Sequence, residues 1–461
     1  MAVTAGSGTV SISGAFGAAI ATNTIGGTVE ALIAGADATE LQSVSAGGPI
    51  TLLADNDSTI DATLATLAAS VSIGSGTVNL ALAGAVSVTT NTITSQTLAG
   101  ISNSGVDSGG TVAIDANAGS EISANTVAIA ASVAAGSGTV TLAGGFAAAS
   151  ASNSIGGSTQ ALITNGSTLD AAGNVGVKVN DTALIDSNVI AAAVAVSASS
   201  GSVSGALALA VSLAQNTIEG ASRASINDSQ VASTGGGVTV STLADNTIDA
   251  VAVSAAISVA ASTSVSLSIA GAGAWAKNVM TNKVEASIVN NSMVNAADSV
   301  AVLAVDSSSI TARLVSAAVS VAVSSTVAVA VGVALALTEN ELSGTTVATI
   351  NDSDVTAAGG GVSVLANDGG VRDIQANPWA IGDNALVVDG DRRFADLKAP
   401  DQPVDLNDAD PWNTGANSLQ IDGGATVTLN GDVAVDTTRT PSRREPRSTS
   451  RRRTGPAAHI P

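Results

Sequence analysis

Residues Ala224–Ile248 read ASINDSQVASTGGGVTVSTLADNTI. Aliphatic residues alternate at Ile226, Val231, Val238 and Val240, and clusters of Asn, Asp, Ser and Gly separate them. Short alternating runs bounded by such residues are strand-turn-strand signals. A two-residue period places Val238 and Val240 on one face of a strand. Ala286–Ile310 and Ala348–Ile374 repeat the pattern.

Two markers carry the repeat along the chain. An Asn followed two places later by an aliphatic residue recurs at Asn23/Ile25, Asn91/Ile93, Asn153/Ile155, Asn216/Ile218, Asn278/Met280 and Asn340/Leu342, with spacings of 68, 62, 63, 62 and 62. An isoleucine closing a polar run keeps the same beat at Ile60, Ile122, Ile185, Ile248, Ile310 and Ile374. Two markers in one rhythm mean one structural unit copied end to end. The fold class this predicts is all-β, a repetitive parallel β-solenoid array with a repeat of about 62 residues. Residues 1–22 read as a partial repeat, and residues 23–366 as five complete repeats and the start of a sixth. Three coils of about 21 residues per repeat, each rising ~4.8 Å, would make these five repeats a rod on the order of 70 Å long.

The half of each repeat that follows the isoleucine is nearly uncharged. There are 32 residues without a charge between Asp186 and Glu219, and 27 between Asp249 and Lys277. Such lengths suffice for a membrane helix. Three features oppose that reading. The runs are Ala, Ser, Val and Gly with few Leu. Their period is two, as in Val319, Val321, Val323 and then Val327, Val329, Val331, Val333. A turn signal sits midway, at Gly74–Gly76, Gly136–Gly138 and Ser199–Gly201. β-Branched alternation favours strands. A transmembrane barrel would carry aromatic girdles, whereas aromatic residues are 1% of this chain. No membrane span is expected. The runs read as solenoid coils or as a protruding hairpin, with the valines on a packed apolar face. A core without large aromatic space-fillers must be thin, and Ala, Ser and Gly let sheets approach closely.

Composition excludes most chemistry. There is no cysteine, so neither disulfides nor thiolate sites exist. The one histidine, His459, lies near the end of the chain, so a Ser-His-Asp triad has no histidine in the repeats. The net charge of −21 is uneven. From Arg439 onward there are seven Arg and one Glu, and residues 1–436 hold 9 basic and 36 acidic residues. An acidic, Lys/Arg-poor surface predicts no nucleic-acid partner.

Carboxylate pairs remain as candidates for polysaccharide chemistry, Asp245 with Asp249 and Asp352 with Asp354. Side-chain capping of turns by Asn and Asp explains them more simply. The repeats also have almost none of the aromatic platforms on which sugars stack. Calcium is the one ligand the residues suggest, through Asp55-Asn56-Asp57 and Asn351-Asp352-Ser353-Asp354, read as oxygen clusters at loops. Neither matches an EF-hand loop, and turn-forming roles for Asp55, Asp57, Asp352 and Asp354 are preferred. No enzyme activity, catalytic residue or cofactor is therefore expected.

The rhythm dissolves after Ala366. Residues 367–436 bring Trp379, Trp412 and four of the nine Pro, and read as an irregular region of short strands that opens another module. Residues 437–461, TTRTPSRREPRSTSRRRTGPAAHIP, reverse the charge abruptly. They read either as a basic disordered tail or, preferably, as a frameshift or gene-calling artefact. At the other end, AGSGTV at Ala5–Val10 matches IGSGTV at Ile73–Val78, so the start reads as the interior of a repeat and the chain as a fragment of a longer protein.

The pattern ASINDSQVASTGGGVTVSTLADNTI and its relatives resemble the repeat arrays of very large bacterial surface and secreted proteins. These are the filamentous-haemagglutinin-type and leukotoxin-like filamentous adhesins. The resemblance covers roughly residues 1–366 and rests on composition, repeat length and punctuation. It implies an extracellular or cell-surface shaft that contacts a host or neighbouring cell through regions outside this sequence. A polysaccharide-active β-helical enzyme and a self-assembling matrix protein that associates laterally are the alternatives.

Overall fold

The computed structural model describes the backbone of residues 1–35, 42–381, 384–391, 416–422, 426–429 and 434–436, and the side chains of residues 1–35 and 43–370. The described residues form 26 strands and no helix. The first coil is β1 (Ala2–Gly6), β2 (Val10–Ala34) and β3 (Gln42–Ala46). The second is β4 (Ile50–Gly74), β5 (Val78–Ser102) and β6 (Ser104–Ser108), and the third β7 (Val112–Gly136), β8 (Val140–Thr164) and β9 (Thr168–Ala171). The fourth is β10 (Val175–Ser199), β11 (Val203–Asn227) and β12 (Gln230–Ser233). In the fifth the first strand is split into β13 (Val238–Ala244) and β14 (Thr247–Ala261), followed by β15 (Val265–Val289) and β16 (Met293–Ala296). The sixth repeats this with β17 (Val300–Asp306), β18 (Ser309–Val323), β19 (Val327–Asn351) and β20 (Asp354–Ala357).

Every pairing in the described backbone is parallel and runs between neighbouring coils, giving three sheets. Sheet A holds β1, β4, β7, β10 and the split strands; sheet B holds β2, β5, β8, β11, β15 and β19; sheet C holds the short strands. The parallel β-solenoid is therefore present, with one coil per 62-residue repeat instead of three. Val133 in β7 pairs with Val196 in β10, one repeat away. No turn interrupts β10 before the arch, so alternation runs on for 25 residues, or roughly 80 Å at ~3.3 Å per residue. Five coils stacked at ~4.8 Å rise only about 24 Å. The module is a broad slab, not the 70 Å rod that short coils would build.

The midway Gly-Ser signals are arches between sheets A and B. β4 and β5 are consecutive but not hydrogen-bonded to each other, so no hairpin protrudes. Arch glycines stack closely: a Cβ on Gly138 would collide with the Gly76 carbonyl oxygen. The opposite corner, between sheets B and C, turns through Asn103, Asn165, Asp228 and Asp352, all with positive φ. Asn and Asp tolerate this left-handed conformation better than other non-glycine residues.

The core has two parts. Near sheet C the coil is three-sided and filled with Val, Ile and Leu, including Val238 and Val240. Toward the arch it is two-sided and filled mainly with Ala beside the stacked Ile60, Ile122, Ile185, Ile248 and Ile310. Serine hydroxyls there bond directly to the backbone of the facing sheet: Ser197 Oγ to Thr141 O at 2.8 Å, and Ser258 Oγ to Ala206 O at 2.8 Å. Such direct bonds require the thin core that small residues allow.

The register explains two features of the repeat markers and places the described strands beyond Ala366. The spacing of 68 after Asn23 comes from six extra residues at one corner, since Ala34 pairs with Ser102 but Gln42 pairs with Ser104. Ile374 leaves the isoleucine row: Ile310 pairs with Arg372, and Ala312 with Ile374. Beyond Ala366 the described strands pair with those of the existing sheets. β21 (Val362–Asp368) and β22 (Val371–Ile381) extend sheet A, and β23 (Asn384–Asp391) and β24 (Ala416–Asp422) extend sheet B. β25 (Thr426–Leu429) joins sheet C, and β26 (Ala434–Asp436) pairs with β21. Residues 437–461 lie outside the described residues.

Candidate interaction surface

Alternation along each long strand sends one set of side chains inward and the other outward. In β19 the inward set beyond the arch is Ala330, Gly332, Ala334, Ala336 and Thr338, and the outward set is Val329, Val331, Val333, Leu335 and Leu337. The phase is the reverse of the expected one: the valines lie on the outer face, and the thin core takes the small residues. β11 follows the same rule, with Ala206, Ala208 and Ala210 buried and Leu207 and Leu209 exposed by 41% and 37%. Sheet A does likewise, with Ala193 and Ala195 inward and Ile190 outward.

The outer face of sheet B is levelled by pairing large residues with glycines. Leu82 lies over Gly144, Leu142 over Gly205 and Leu209 over Gly271; a Cβ on these glycines would meet the leucine Cδ2 at 2.8, 2.7 and 2.8 Å. Charge enters only at the border of this face, where Lys277 Nζ meets Glu339 Oε1 at 2.8 Å. The two outer apolar faces were not anticipated from the sequence, although their signal is present in the interleaving of Val/Leu with Ala/Ser.

The polar interior has its own order. The repeat-marking asparagines form a buried amide ladder, in which Asn23, Asn91, Asn153, Asn216 and Asn278 each donate Nδ2 to the Oδ1 of the next asparagine at 2.8 Å. A second polar row crosses the strand breaks in sheet A. Asn246 Oδ1 accepts from Ala183 N at 2.7 Å, and Asn246 Nδ2 donates to Asn282 Oδ1 at 3.3 Å. Asn282 Nδ2 donates to Asp306 Oδ2 at 3.3 Å. Ser222 Oγ donates to the Asp181 carboxylate and Ser308 Oγ to that of Asp306. Burial pushes both carboxyls above the ordinary carboxylate range, against these hydrogen bonds. A cavity of about 30 Å³ lies beside Asp181, Asn246, Ser120 and Thr159. It has room for about one water and none for a sugar ring.

The carboxylates singled out in the sequence are dispersed. Asp55 and Asp57 are not at a loop. They lie within β4, both exposed, with Asn56 between them accepting from Ser58 Oγ at 3.1 Å. Asp245 sits in the β13–β14 break and Asp249 on β14, where Arg313 contacts it at 3.4 Å. Four residues of extended chain separate this pair by roughly 13 Å, beyond the ~5–9.5 Å span of glycosidase carboxylates. Asp352 and Asp354 do flank a corner, exposed on either side of buried Ser353. Ser353 Oγ donates to Asn351 O at 3.0 Å. Among the described residues no group of three or more His, Cys, Asp or Glu comes together in a way that could hold a metal ion. No helix of the described residues is long and apolar enough to cross a membrane. No family model matches the chain, and no curated protein or solved structure does so either.

Proposed function

We propose that this chain is a structural shaft segment of an exported, adhesin-like β-solenoid of a bacterial cell surface, without chemistry of its own. The observation that carries this reading is the continuous in-register stack. Six coils repeat the same strands, the same arch and the same asparagine rung. Repetition of this kind builds a stiff body, because each coil is held mainly by its two neighbours. With one coil per repeat, the segment contributes breadth, rigidity and lateral surface more than reach.

The acidic surface and the resemblance of its punctuation to bacterial filamentous adhesins support an extracellular place. Contact with a host or neighbouring cell would fall to regions outside this sequence. Antibody labelling and protease shaving of intact source cells test the reading. Surface label lost on shaving is expected. Antigen confined to the cytosolic fraction, and protected from protease until lysis, would overturn it.

A further inference from the structure

We propose that the outer face of sheet B binds a second copy of this chain, sheet B against sheet B. The face reaches from the arch about 11 residues along six strands. That is roughly 36 Å by 29 Å, or about 1,000 Å². A typical monomer exposes no apolar patch larger than ~300–600 Å², whereas each partner in a stable complex covers ~800 Å². The patch therefore has the size of an interface. Its exposed residues include Leu142, Phe146, Leu207, Leu209, Leu267 and Val327.

Three features select a copy of the chain as the occupant. The first is shape: the Leu-over-Gly pairs flatten the face, and flat sheets pack on one another about 10 Å apart. The second is charge. Residues 1–436 hold 36 acidic against 9 basic residues, which opposes an anionic bilayer. On β2 to β19 of sheet B every charge lies beyond the patch, the nearest being Glu219, Lys277 and Glu339. A two-fold axis along the stack would send these borders to opposite ends of the dimer. The third is the contrast with sheet A, whose outer face carries Arg313 within eleven residues of the arch, in contact with Asp249 just beyond that depth. Apolar contact combined with overall like charge makes association rise with salt, because screening weakens the repulsion. This inference uses the described coils alone and does not depend on export or on an adhesive role.

Sedimentation velocity of the full chain at micromolar concentration tests it. A dimer is expected, more populated at high salt than at low. Leu207→Lys with Leu209→Lys, both at outward positions, should weaken association roughly tenfold or more while leaving the circular dichroism spectrum unchanged. Ile190→Lys with Ile257→Lys, on the outer face of sheet A, should leave association intact. The chain has no cysteine, so Leu207→Cys gives an independent readout that adds no charge: it should cross-link between copies with a short bis-maleimide, and Ile257→Cys should not. A monomer at every salt concentration would overturn the proposal. So would association indifferent to the lysines at 207 and 209, equal cross-linking from both cysteines, or flotation of a monomer with neutral phosphatidylcholine vesicles.

Discussion

Asn91 Nδ2 donates to Asn153 Oδ1 across 2.8 Å, in a core where both residues are almost fully buried. Each amide is donor to one coil and acceptor from the other, so every rung depends on its neighbours. Asn153→Ala removes two bonds and leaves the Asn91 donor and the Asn216 acceptor unpaired. A buried unpaired group costs ~1–3 kcal/mol, so roughly 2–6 kcal/mol should be lost in urea titration. Ser152→Ala, one residue away on the outer face, should cost less than about 0.5 kcal/mol. Similar losses for the two would contradict the ladder.

The thin core makes a second prediction. A Cβ on Gly145 of sheet B would lie 2.8 Å from the Val194 carbonyl oxygen of sheet A. Gly145→Val should therefore force the sheets apart and cost about 1–3 kcal/mol or more. At Gly273, on the outer face, a Cβ meets nothing within 4 Å. Gly273→Ala should be neutral or stabilising by up to ~1 kcal/mol. Thermal melts of the two variants separate these outcomes.

The phase of the alternation is tested at adjacent residues. Ala330 is 2% exposed, and Val329 is outward. Ala330→Asp buries an unpaired charge and should prevent cooperative folding of its coil, whereas Val329→Asp should keep the β-type circular dichroism spectrum. A greater loss from Val329→Asp would place the valines in the core.

Asp181 predicts a pH dependence. Its folded-state pKa is raised, by burial first and further by Asp306, although the Ser222 hydroxyl opposes the shift. Between the unfolded and folded values the native state holds the proton more often than the unfolded chain, so stability falls as pH rises through that window. The contribution is fully present below the unfolded pKa and lost above the folded one. Asp181→Asn should be more stable than the parent at pH 7 and should show a shallower decline between acidic and neutral pH in thermal melts. A variant less stable at pH 7 would show that the carboxylate stabilises the fold.

Much of this architecture is legible in the sequence, and the limits have physical causes. The asparagine and isoleucine rows stand out because a buried amide or a large aliphatic must recur at the same height in every coil. The number of coils per repeat does not stand out, since a two-residue period is the same for one long strand or several short ones. The phase fails for a similar reason: Val alternates with Ala, and both are apolar, so pattern alone favours the larger residue for the core. Core thickness decides otherwise, as Gly145 against Val194 shows. Asp55 and Asp57 resembled a loop cluster because Asp and Asn are rare in strands, yet both point to solvent from the middle of β4. Ile374 kept the spacing within two residues, but its pairing with Ala312 shows that spacing is not register.

Cross-linking of register neighbours tests the central claim, one coil per repeat, most directly. Val133 and Val196 are paired outward positions on adjacent strands of sheet A, and the chain has no cysteine to compete. Adjacent strands lie ~4.8 Å apart, within the Cα separation a disulfide needs. Val133→Cys with Val196→Cys should oxidise to an intramolecular disulfide in high yield, and Val133→Cys with Ser154→Cys, 21 residues apart, should not. With three coils per repeat the first pair would stand roughly 14 Å apart, so failure of that pair and oxidation of the second would contradict the account.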